Sequence, residues 1–358
     1  MLSIEQEDLQ RLAADLFAKE SPPDAVRRVA AEEPGYDVAL WRRCADLGLL
    51  GLEAPEELGG GGQSAVETSL VLAGIGSAVV PGPYLSQFLC VAALNACPAG
   101  ERRDGWLAAL AGGEVVGAVV PEGRVRADSG SGGVLSGDAG VVLDAPVASL
   151  LVVAAEGPDG PVVCGVDVDA VSVTPVPMVD VTRRAGRVRF DGVAGAPVLA
   201  QGEEARRVID RMRCVAAAWI AVDSVAGAAA TLERTVDYVS NRHQFGRPIA
   251  TFQAVKHRCA DMFVWVETAR VAADAAVRRL AAGEPADYWC SAAKAVAAGN
   301  YAKVAGSAVQ LHGGIGFTWD YDLHLWLKRA KLNESLFGDT EEHRARVARW
   351  IWETAHEQ

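Results

Sequence analysis

The stretch RHQFGRPIATFQAVKHRCA, from Arg242 to Ala260, decides the fold together with a second segment, QLHGGIGF, from Gln310 to Phe317. Apolar residues around the two segments recur every three or four positions, which predicts one helical domain that presents both. An arginine at a helix end, beside a Gly-Arg-Pro turn and a following helix that starts near Thr251, is suited to hold a pyrophosphate. Adjacent glycines let a ligand approach the backbone. Taken alone, each segment is also typical of an ordinary helix corner or helix end.

Outward from these segments, the pattern divides the chain into three parts. Residues 1–113 show helical spacing and begin with a capping box at Ser3 and Gln6, which predicts an N-terminal helical domain. Residues 114–201 contain short valine-rich runs separated by Gly, Pro or Asp, which predicts a middle antiparallel β domain, with 123–140 as a surface loop or weak hairpin. Residues 202–358 predict a C-terminal helical bundle, with helices after the first at 251–280, 286–311 and 339–354. The predicted fold class is α+β.

Charge and composition exclude several classes of protein. A formal net charge of −12 argues against nucleic acid as a partner, because phosphate binding relies on an excess of Lys and Arg. The acidic N-terminal segment and the lack of an uninterrupted apolar run of membrane-spanning length predict a cytoplasmic protein with no membrane partner. Seven scattered cysteines without CxxC spacing predict reduced core thiols, and six histidines without HxxxH spacing predict no metal site.

Together, the two segments resemble the C-terminal domain of the FAD-dependent acyl-CoA dehydrogenases. The matching residues are Arg242, Phe245, Gly246, Pro248, Ile249, Phe252, Gln253, Val255, His257, Ala260, Asp261, Met262, Gln310, His312, Gly313, Gly314, Gly316 and Phe317. The N-terminal segment LWRRCADLGLLGLEAPEELGGGGQS is similar to that family as well, so the resemblance covers the whole chain. It implies the same helical, β, helical order that the periodicity predicts.

The resemblance also implies the cofactor and the residues that contact it. In that family FAD lies between the β domain and the C-terminal helices, and the RxxFG and QxxGG elements of one protomer hold the adenosine diphosphate end of a flavin bound mainly to its neighbour. Carried over to this sequence, the predicted cofactor-binding residues are Arg242, Phe245, Gln253, Gln310, Gly313, Gly314 and Thr340. Phe245 is predicted to stack on or cover the adenine.

One departure from the family concerns the catalytic base. The family's reaction removes a proton α to a thioester while the β carbon gives a hydride to the flavin, and so weak an acid requires a desolvated carboxylate. The segment that aligns with the family's usual Glu places Gly338 at that position, and the alternative position of a minority of members falls near Ala216. Neither residue can take a proton. Glu334 and Asp339 are weak candidates that are equally typical of helix-end charges.

A second departure lies in the β domain. The family usually carries a Trp there beside the flavin ring, whereas this chain has no Trp between Trp106 and Trp219. Similarity to the family is low in this segment and high in the RHQFG and QLHGG segments, which we call the two grips. This contrast predicts a subunit whose two grips contact a flavin that is bound mainly by another chain.

These observations predict α,β-dehydrogenation of an acyl-CoA to the enoyl-CoA by a heteromer resembling the bacterial steroid-degrading dehydrogenases. In such a heteromer a shorter subunit without the base pairs with one that has it. The expected partners are the acyl-CoA substrate, a second acyl-CoA dehydrogenase subunit or a second copy, and an electron-transfer flavoprotein. Two alternatives stay open: a self-sufficient homomeric acyl-CoA or acyl-carrier-protein dehydrogenase with a non-standard base, and a non-catalytic thioester-binding or assembly subunit.

Overall fold

A computed structural model describes residues 2–128 and 133–356 and confirms the α+β class, with strands flanked in sequence by helices. The helices are α1 (Ile4–Glu20), α2 (Pro23–Ala31), α3 (Val38–Asp46), α4 (Ala65–Ser77), α5 (Tyr84–Ala96), α6 (Glu101–Ala111), α7 (Gly202–Asn241), α8 (Gln253–Ala281), α9 (Asp287–His312), α10 (Leu323–Ser335) and α11 (Thr340–His356). The strands are β1 (Gly117–Val120), β2 (Arg124–Asp128), β3 (Val134–Leu143), β4 (Leu150–Gly157), β5 (Gly160–Asp167), β6 (Ser172–Pro175), β7 (Ala185–Val193), β8 (Val198–Gln201), β9 (His243–Gln244) and β10 (Arg247–Pro248).

The chain forms two compact units, each assembled from separate stretches. The helical unit comprises Met1–Arg27, Ser69–Val80 and Ala217–Gln358. The sheet unit comprises Arg28–Thr68 and Pro81–Ala216. Helices α2, α4 and α7 contribute residues to both units. The predicted three-part division follows the order of the chain, whereas these units follow contact in space.

The sheet unit contains one eight-stranded sheet in the order β6-β7-β3-β2-β4-β5-β8, with β1 paired to β4. The sheet is mixed rather than purely antiparallel, because β1 and β2 both pair with β4 in parallel. The hairpin of β2 and β3 lies between β1 and β4 in the chain, and this crossover returns β4 in the direction of β1. Valines and alanines alternate inward to form its core, as along β7, where Val188 and Phe190 are buried and Arg187 and Arg189 are exposed.

The stretch 123–140 was predicted to be either a surface loop or a weak hairpin, and the structure shows a hairpin. Strand β2 pairs with β3 from Arg124 opposite Asp138 to Asp128 opposite Val134, and the residues that connect them lie outside the described part of the chain. The sequence left a loop open as the alternative because that of β2, RVRAD, is mostly charged and exposes every other residue. Strand β8 escaped prediction because it is only four residues long.

The helices predicted at 251–280, 286–311 and 339–354 correspond to α8, α9 and α11, whereas α2 and α10 were not predicted. The capping box at α1 is present: the Ser3 hydroxyl accepts from the Gln6 backbone N–H (3.2 Å), and the Gln6 side chain accepts from the Ser3 backbone N–H (3.0 Å). In the helical unit, α8 and α9 pack through alanines, including Ala269 and Ala273 of α8, which are buried. Small side chains of this kind let two helix axes approach closely.

Helix α7 is long and apolar enough to cross a membrane by composition, but 83% of its apolar window is buried within the protein. It is therefore packed as a core helix of the protein. Within the helical unit it carries Asp223, which is fully buried and forms an ion pair of 2.9 Å with the equally buried Arg329 of α10. Asn333 donates to the second Asp223 oxygen at 2.7 Å, so that this buried carboxylate is paired at both oxygens.

Candidate cofactor site

The RHQFG segment forms a two-stranded hairpin directly after α7. Arg247 pairs with Gln244 and Pro248 with His243, and Phe245 and Gly246 form the tip. Both tip residues have positive φ, +55° and +77°, as tight hairpins require. A phenylalanine is rare in this conformation, and non-glycine residues held there cluster at functional sites. The predicted turn is confirmed, and its tip carries an aromatic side chain.

Two side chains of this hairpin face solvent. Phe245 is 91% exposed, and its only ring contact in the described chain is with the edge of Phe252 at 6.1 Å. Arg242 is exposed, and its guanidinium makes no hydrogen bond or ion pair with any residue that the structure describes. The Arg242 carbonyl does have a structural role, accepting from the Ile249 N–H at 2.8 Å. The side chains are thus available to a ligand or a partner chain.

The QLHGG segment ends α9 and lies beside the base of the hairpin. The Tyr238 ring stacks on the His312 ring at 4.2 Å, and the Tyr238 hydroxyl donates to the His312 carbonyl oxygen at 3.3 Å. Tyr238 is one helical turn before Arg242, whose N–H it accepts at 2.8 Å, and His312 is two residues after Gln310. The two predicted grips therefore lie next to each other on the helical unit.

His312 has the properties of a packing residue. Its Nδ1 donates to the Ala308 carbonyl oxygen at 2.7 Å, and its Nε2 is buried without a hydrogen-bond partner among the described residues. Burial lowers the pKa of this imidazole, which favours the neutral form. Gly316 is also buried, and a Cβ there would lie 3.0 Å from the Val309 carbonyl oxygen. These two motif positions support the chain rather than face a ligand.

The remaining motif positions of this segment are open. Gln310, Gly313 and Gly314 are exposed, and a Cβ built at either glycine would meet nothing within 4 Å. Gly313 has φ +63° and is the C-cap of α9, which explains the glycine without a ligand. Gly314 has no such need. Just beyond it, Phe317 and Trp319 are 75% and 70% exposed, so an exposed aromatic surface adjoins the polar groups.

Gln253 is the first residue of α8 and is exposed. The N-cap position is occupied by Phe252, which provides no side-chain cap. The N–H groups at the start of this 29-residue helix carry the positive end of the helix dipole. An anionic group would be stabilised there, as the sequence predicts.

Gly338 lies in a tight turn between α10 and α11. Its φ is +95°, a conformation that side-chain-bearing L residues rarely adopt, and an added Cβ would lie 3.0 Å from His343 Nε2. The turn is closed from two sides: Lys294 Nζ donates to the Gly338 carbonyl oxygen at 3.0 Å, and His343 Nε2 donates to the Phe337 carbonyl oxygen at 3.0 Å. The absence of a carboxylate here is therefore built into the backbone.

The two weak candidates for a base have other contacts. Glu334 accepts from Lys331 at 2.8 Å in a partly exposed ion pair. Asp339 is exposed, and its carboxylate caps α11 by accepting from the Glu342 N–H at 2.8 Å. Ala216, at the alternative base position, is buried in α7. Neither carboxylate has the buried, unpaired character that a base for a weak carbon acid requires.

Thr340 lies apart from the two grips. Its hydroxyl oxygen is buried and has no hydrogen-bond partner among the described residues. Its side chain faces Gly299 of α9, since a Cβ at that glycine would lie 3.8 Å from the Thr340 methyl carbon. Gly299 precedes Gln310 by eleven positions on α9, about 16 Å at 1.5 Å per residue. One ligand could reach both places only if it were elongated.

Sequence reasoning missed two residues that organise this region, Tyr238 and Lys294. Tyr238 had no signal beyond its helical position. Lys294 had one: it shares the helical stripe of Ala297, Ala298 and Tyr301, all of which are buried, so the pattern placed a lysine on an apolar face.

Comparison with known proteins identifies the family to which the chain belongs. Residues 3–114 match the acyl-CoA dehydrogenase N-terminal domain and residues 207–352 the C-terminal domain. The chain belongs to the acyl-CoA dehydrogenase family, which confirms the resemblance and FAD as the predicted cofactor.

Three known proteins are similar to this chain over nearly its whole length. The chain is 32% identical to acyl-CoA dehydrogenase IpdE2 of Mycobacterium tuberculosis over 98% of both chains. It is similar to the ChsE4-ChsE5 complex of the same organism (28% identity, TM-score 0.91, covering 99% of this chain and 98% of that one). It is equally similar to the Tcur3481-Tcur3483 steroid ACAD (30% identity, TM-score 0.90, covering 98% and 99%).

The residues present fit part of an FAD molecule. The open guanidinium of Arg242, the amides of Gln253 and Gln310, and the unpaired hydroxyl of Thr340 are donors of the kind that a pyrophosphate and a ribose require. An exposed Phe245 offers a face on which an adenine can stack.

Proposed function

We propose that this chain is one subunit of a heteromeric, FAD-dependent acyl-CoA dehydrogenase of the steroid-degrading type, in which the partner subunit carries the catalytic base. The observation that carries the proposal is the Gly338 turn. At Gly338, which the sequence comparison above aligns with the family's usual base, the backbone has φ +95°, and the turn is closed by Lys294 and His343. The relatives with solved structures include two whose names describe a pair of proteins.

Within this proposal, bound FAD would supply the acceptor for the hydride that leaves the β carbon of the substrate. This chain's own residues hold one end of the cofactor. Arg242 donates to the pyrophosphate, Gln253 and Gln310 donate to or accept from neighbouring oxygens, and Phe245 covers the adenine. Gly313 and Gly314 leave the backbone open to close approach by the cofactor. Thr340, which faces Gly299 of α9, would donate its hydroxyl to another part of the same cofactor.

The exposed aromatic residues support a partner that completes the site. Phe245, Phe317 and Trp319 are each at least 70% exposed and belong to the two motif segments or closely follow them. Exposed apolar surface of this kind is typical of an interaction site. A flavin seated on a partner chain would cover the polar groups, and the partner's surface would cover the aromatic rim.

The experiment is expression of the chain alone and together with a dehydrogenase subunit that has an intact Glu. Bound flavin is measured by absorbance, and turnover of an acyl-CoA by reduction of ferrocenium. We expect little flavin and no turnover for the chain alone and both for the pair. Electrons should then pass from the pair to an electron-transfer flavoprotein. A yellow, active preparation of the chain alone would contradict the proposal and favour a self-sufficient homomer.

The Arg242→Ala variant separates this proposal from a non-catalytic assembly subunit. A charge-assisted contact contributes about 1.5–3 kcal/mol, so flavin affinity of the pair should fall about 10- to 150-fold. The control is Arg349→Ala, which removes an exposed arginine of α11. An assembly subunit would lose no flavin in either variant.

A further inference from the structure

Lys294 is a fully buried cation held by backbone rather than by a carboxylate. It lies in α9 with 0% exposure. Its Nζ donates to the carbonyl oxygens of Asn333 (2.8 Å), Gly338 (3.0 Å) and Glu334 (3.4 Å). An ammonium has three N–H groups, so these three acceptors match its donors. Burial of a charge is unfavourable unless such partners are present.

The three carbonyl acceptors lie at the end of α10 and in the turn that leads into α11. Asn333 and Glu334 belong to the last turn of α10, where carbonyl groups have no partner within the helix. Gly338 is two residues before Thr340. One ammonium therefore joins the end of one helix to the turn that leads into the next.

We propose that Lys294 is a positioning residue for the flavin contact at Thr340. This rests on the proposed function, in which the Thr340 hydroxyl contacts the cofactor. Lys294 fixes the Gly338 carbonyl, the backbone then continues through Asp339, and Thr340 begins α11 with its buried hydroxyl unpaired. With the turn fixed, that hydroxyl is held in place for a ligand instead of reaching a protein acceptor.

The group is charged under ordinary conditions. Burial lowers the pKa of the Lys294 ammonium to about 8, partly offset by Asp339, Glu334 and Glu342, so it is mostly protonated at neutral pH. Its loss would leave three carbonyl groups without donors. Asn333 would stay anchored, because its side chain donates to Asp223 and to Ser224. The local result is a turn that opens while the end of α10 remains.

The first measurement follows the turn directly, in the folded chain paired with its partner subunit. Amide hydrogen exchange of residues 336–343 is compared in wild type, Lys294→Met and Lys303→Met. Lys303 is an exposed lysine of the same helix, so its variant controls for loss of charge. We expect at least tenfold faster exchange at 336–343 in Lys294→Met only. Unchanged exchange there would overturn the proposal.

The second measurement tests whether Lys294 acts through Thr340. A double-mutant cycle compares the FAD dissociation constant in wild type, Lys294→Met, Thr340→Ala and the double variant. We expect each single change to weaken binding about tenfold and the double variant to be no weaker than either. Additive losses would mean that Lys294 acts on stability alone and would overturn the proposal. If Lys294→Met does not fold, Lys294→Gln, which retains two N–H donors, takes its place in both measurements.

The cycle also separates this inference from the proposed function. If Thr340→Ala leaves FAD affinity unchanged while Arg242→Ala weakens it, the role of Lys294 is wrong and the proposed grip stands. If neither variant changes FAD affinity, the proposed function fails with it.

Discussion

Installing a carboxylate at Gly338 should not turn this chain into a self-sufficient dehydrogenase. The backbone there has φ +95°, and a left-handed conformation costs an L residue about 1–2 kcal/mol. A Cβ would also lie 3.0 Å from His343 Nε2 and 3.2 Å from Glu342 Oε2, so one of these side chains must move. A glutamate adds a second negative charge beside Glu342. We therefore expect Gly338→Glu to lower the free energy of unfolding by about 2 kcal/mol or more.

The assay has two parts. Urea unfolding gives the change in stability, and ferrocenium reduction with an acyl-CoA gives turnover by the purified chain. Gly338→Ala controls for the backbone and the Cβ without a carboxylate. Gly283→Ala controls for the backbone alone, since Gly283 has φ +67° with nothing within 4 Å of an added Cβ, and it should cost about 1 kcal/mol. A Gly338→Glu chain that keeps wild-type stability and gains turnover would refute the reasoning.

Three further predictions follow from the described contacts. Tyr238→Ala should weaken flavin binding by the pair about tenfold, because it removes the stack that holds the two grips together, whereas Tyr238→Phe keeps the ring and should change it less than threefold; equal losses in a flavin titration would contradict this. Asp223→Ala removes the carboxylate that pairs with the buried Arg329 and should lower the free energy of unfolding, measured in urea, by about 3–5 kcal/mol, whereas Asp210→Ala, which removes an exposed carboxylate of the same helix, should change it little. Because the pKa of His312 is lowered in the folded state, the unfolded chain binds more protons as pH falls below about 6.5, so stability should fall there; His312→Phe, measured by unfolding at several pH values, should flatten that slope.

The positions of the helices could be predicted because they depend on local spacing. The capping box at Ser3 and the turn at Phe245 and Gly246 were visible in the sequence for the same reason. The left-handed conformation of Phe245 was not, since a phenylalanine is unfavourable there by its own preference. The parallel pairing of β1 with β4 was hidden too, because alternation of side chains is the same in both directions.

The candidate site could be predicted residue by residue but not as an arrangement. The neighbouring position of Arg242 and Gln310 depends on Tyr238 meeting His312 across two helices. The separation of Thr340 from Gln310 depends on where α11 crosses α9. Both arrangements depend on tertiary contacts, which helical periodicity cannot predict. The structure therefore divides one predicted list of cofactor residues into two places.

Burial separates the motif residues that the fold itself needs from those that it does not need. His312 and Gly316 are buried and support the end of α9, so their presence would be expected in any chain with this fold. Arg242, Phe245 and Gln310 are exposed, and among the residues that the structure describes the one ring contact of these side chains is that of Phe245 with the edge of Phe252. A ligand or a partner chain can reach all three side chains. The motif is therefore best tested at its exposed positions, since a change at a buried one would lower stability whether or not the chain holds a flavin.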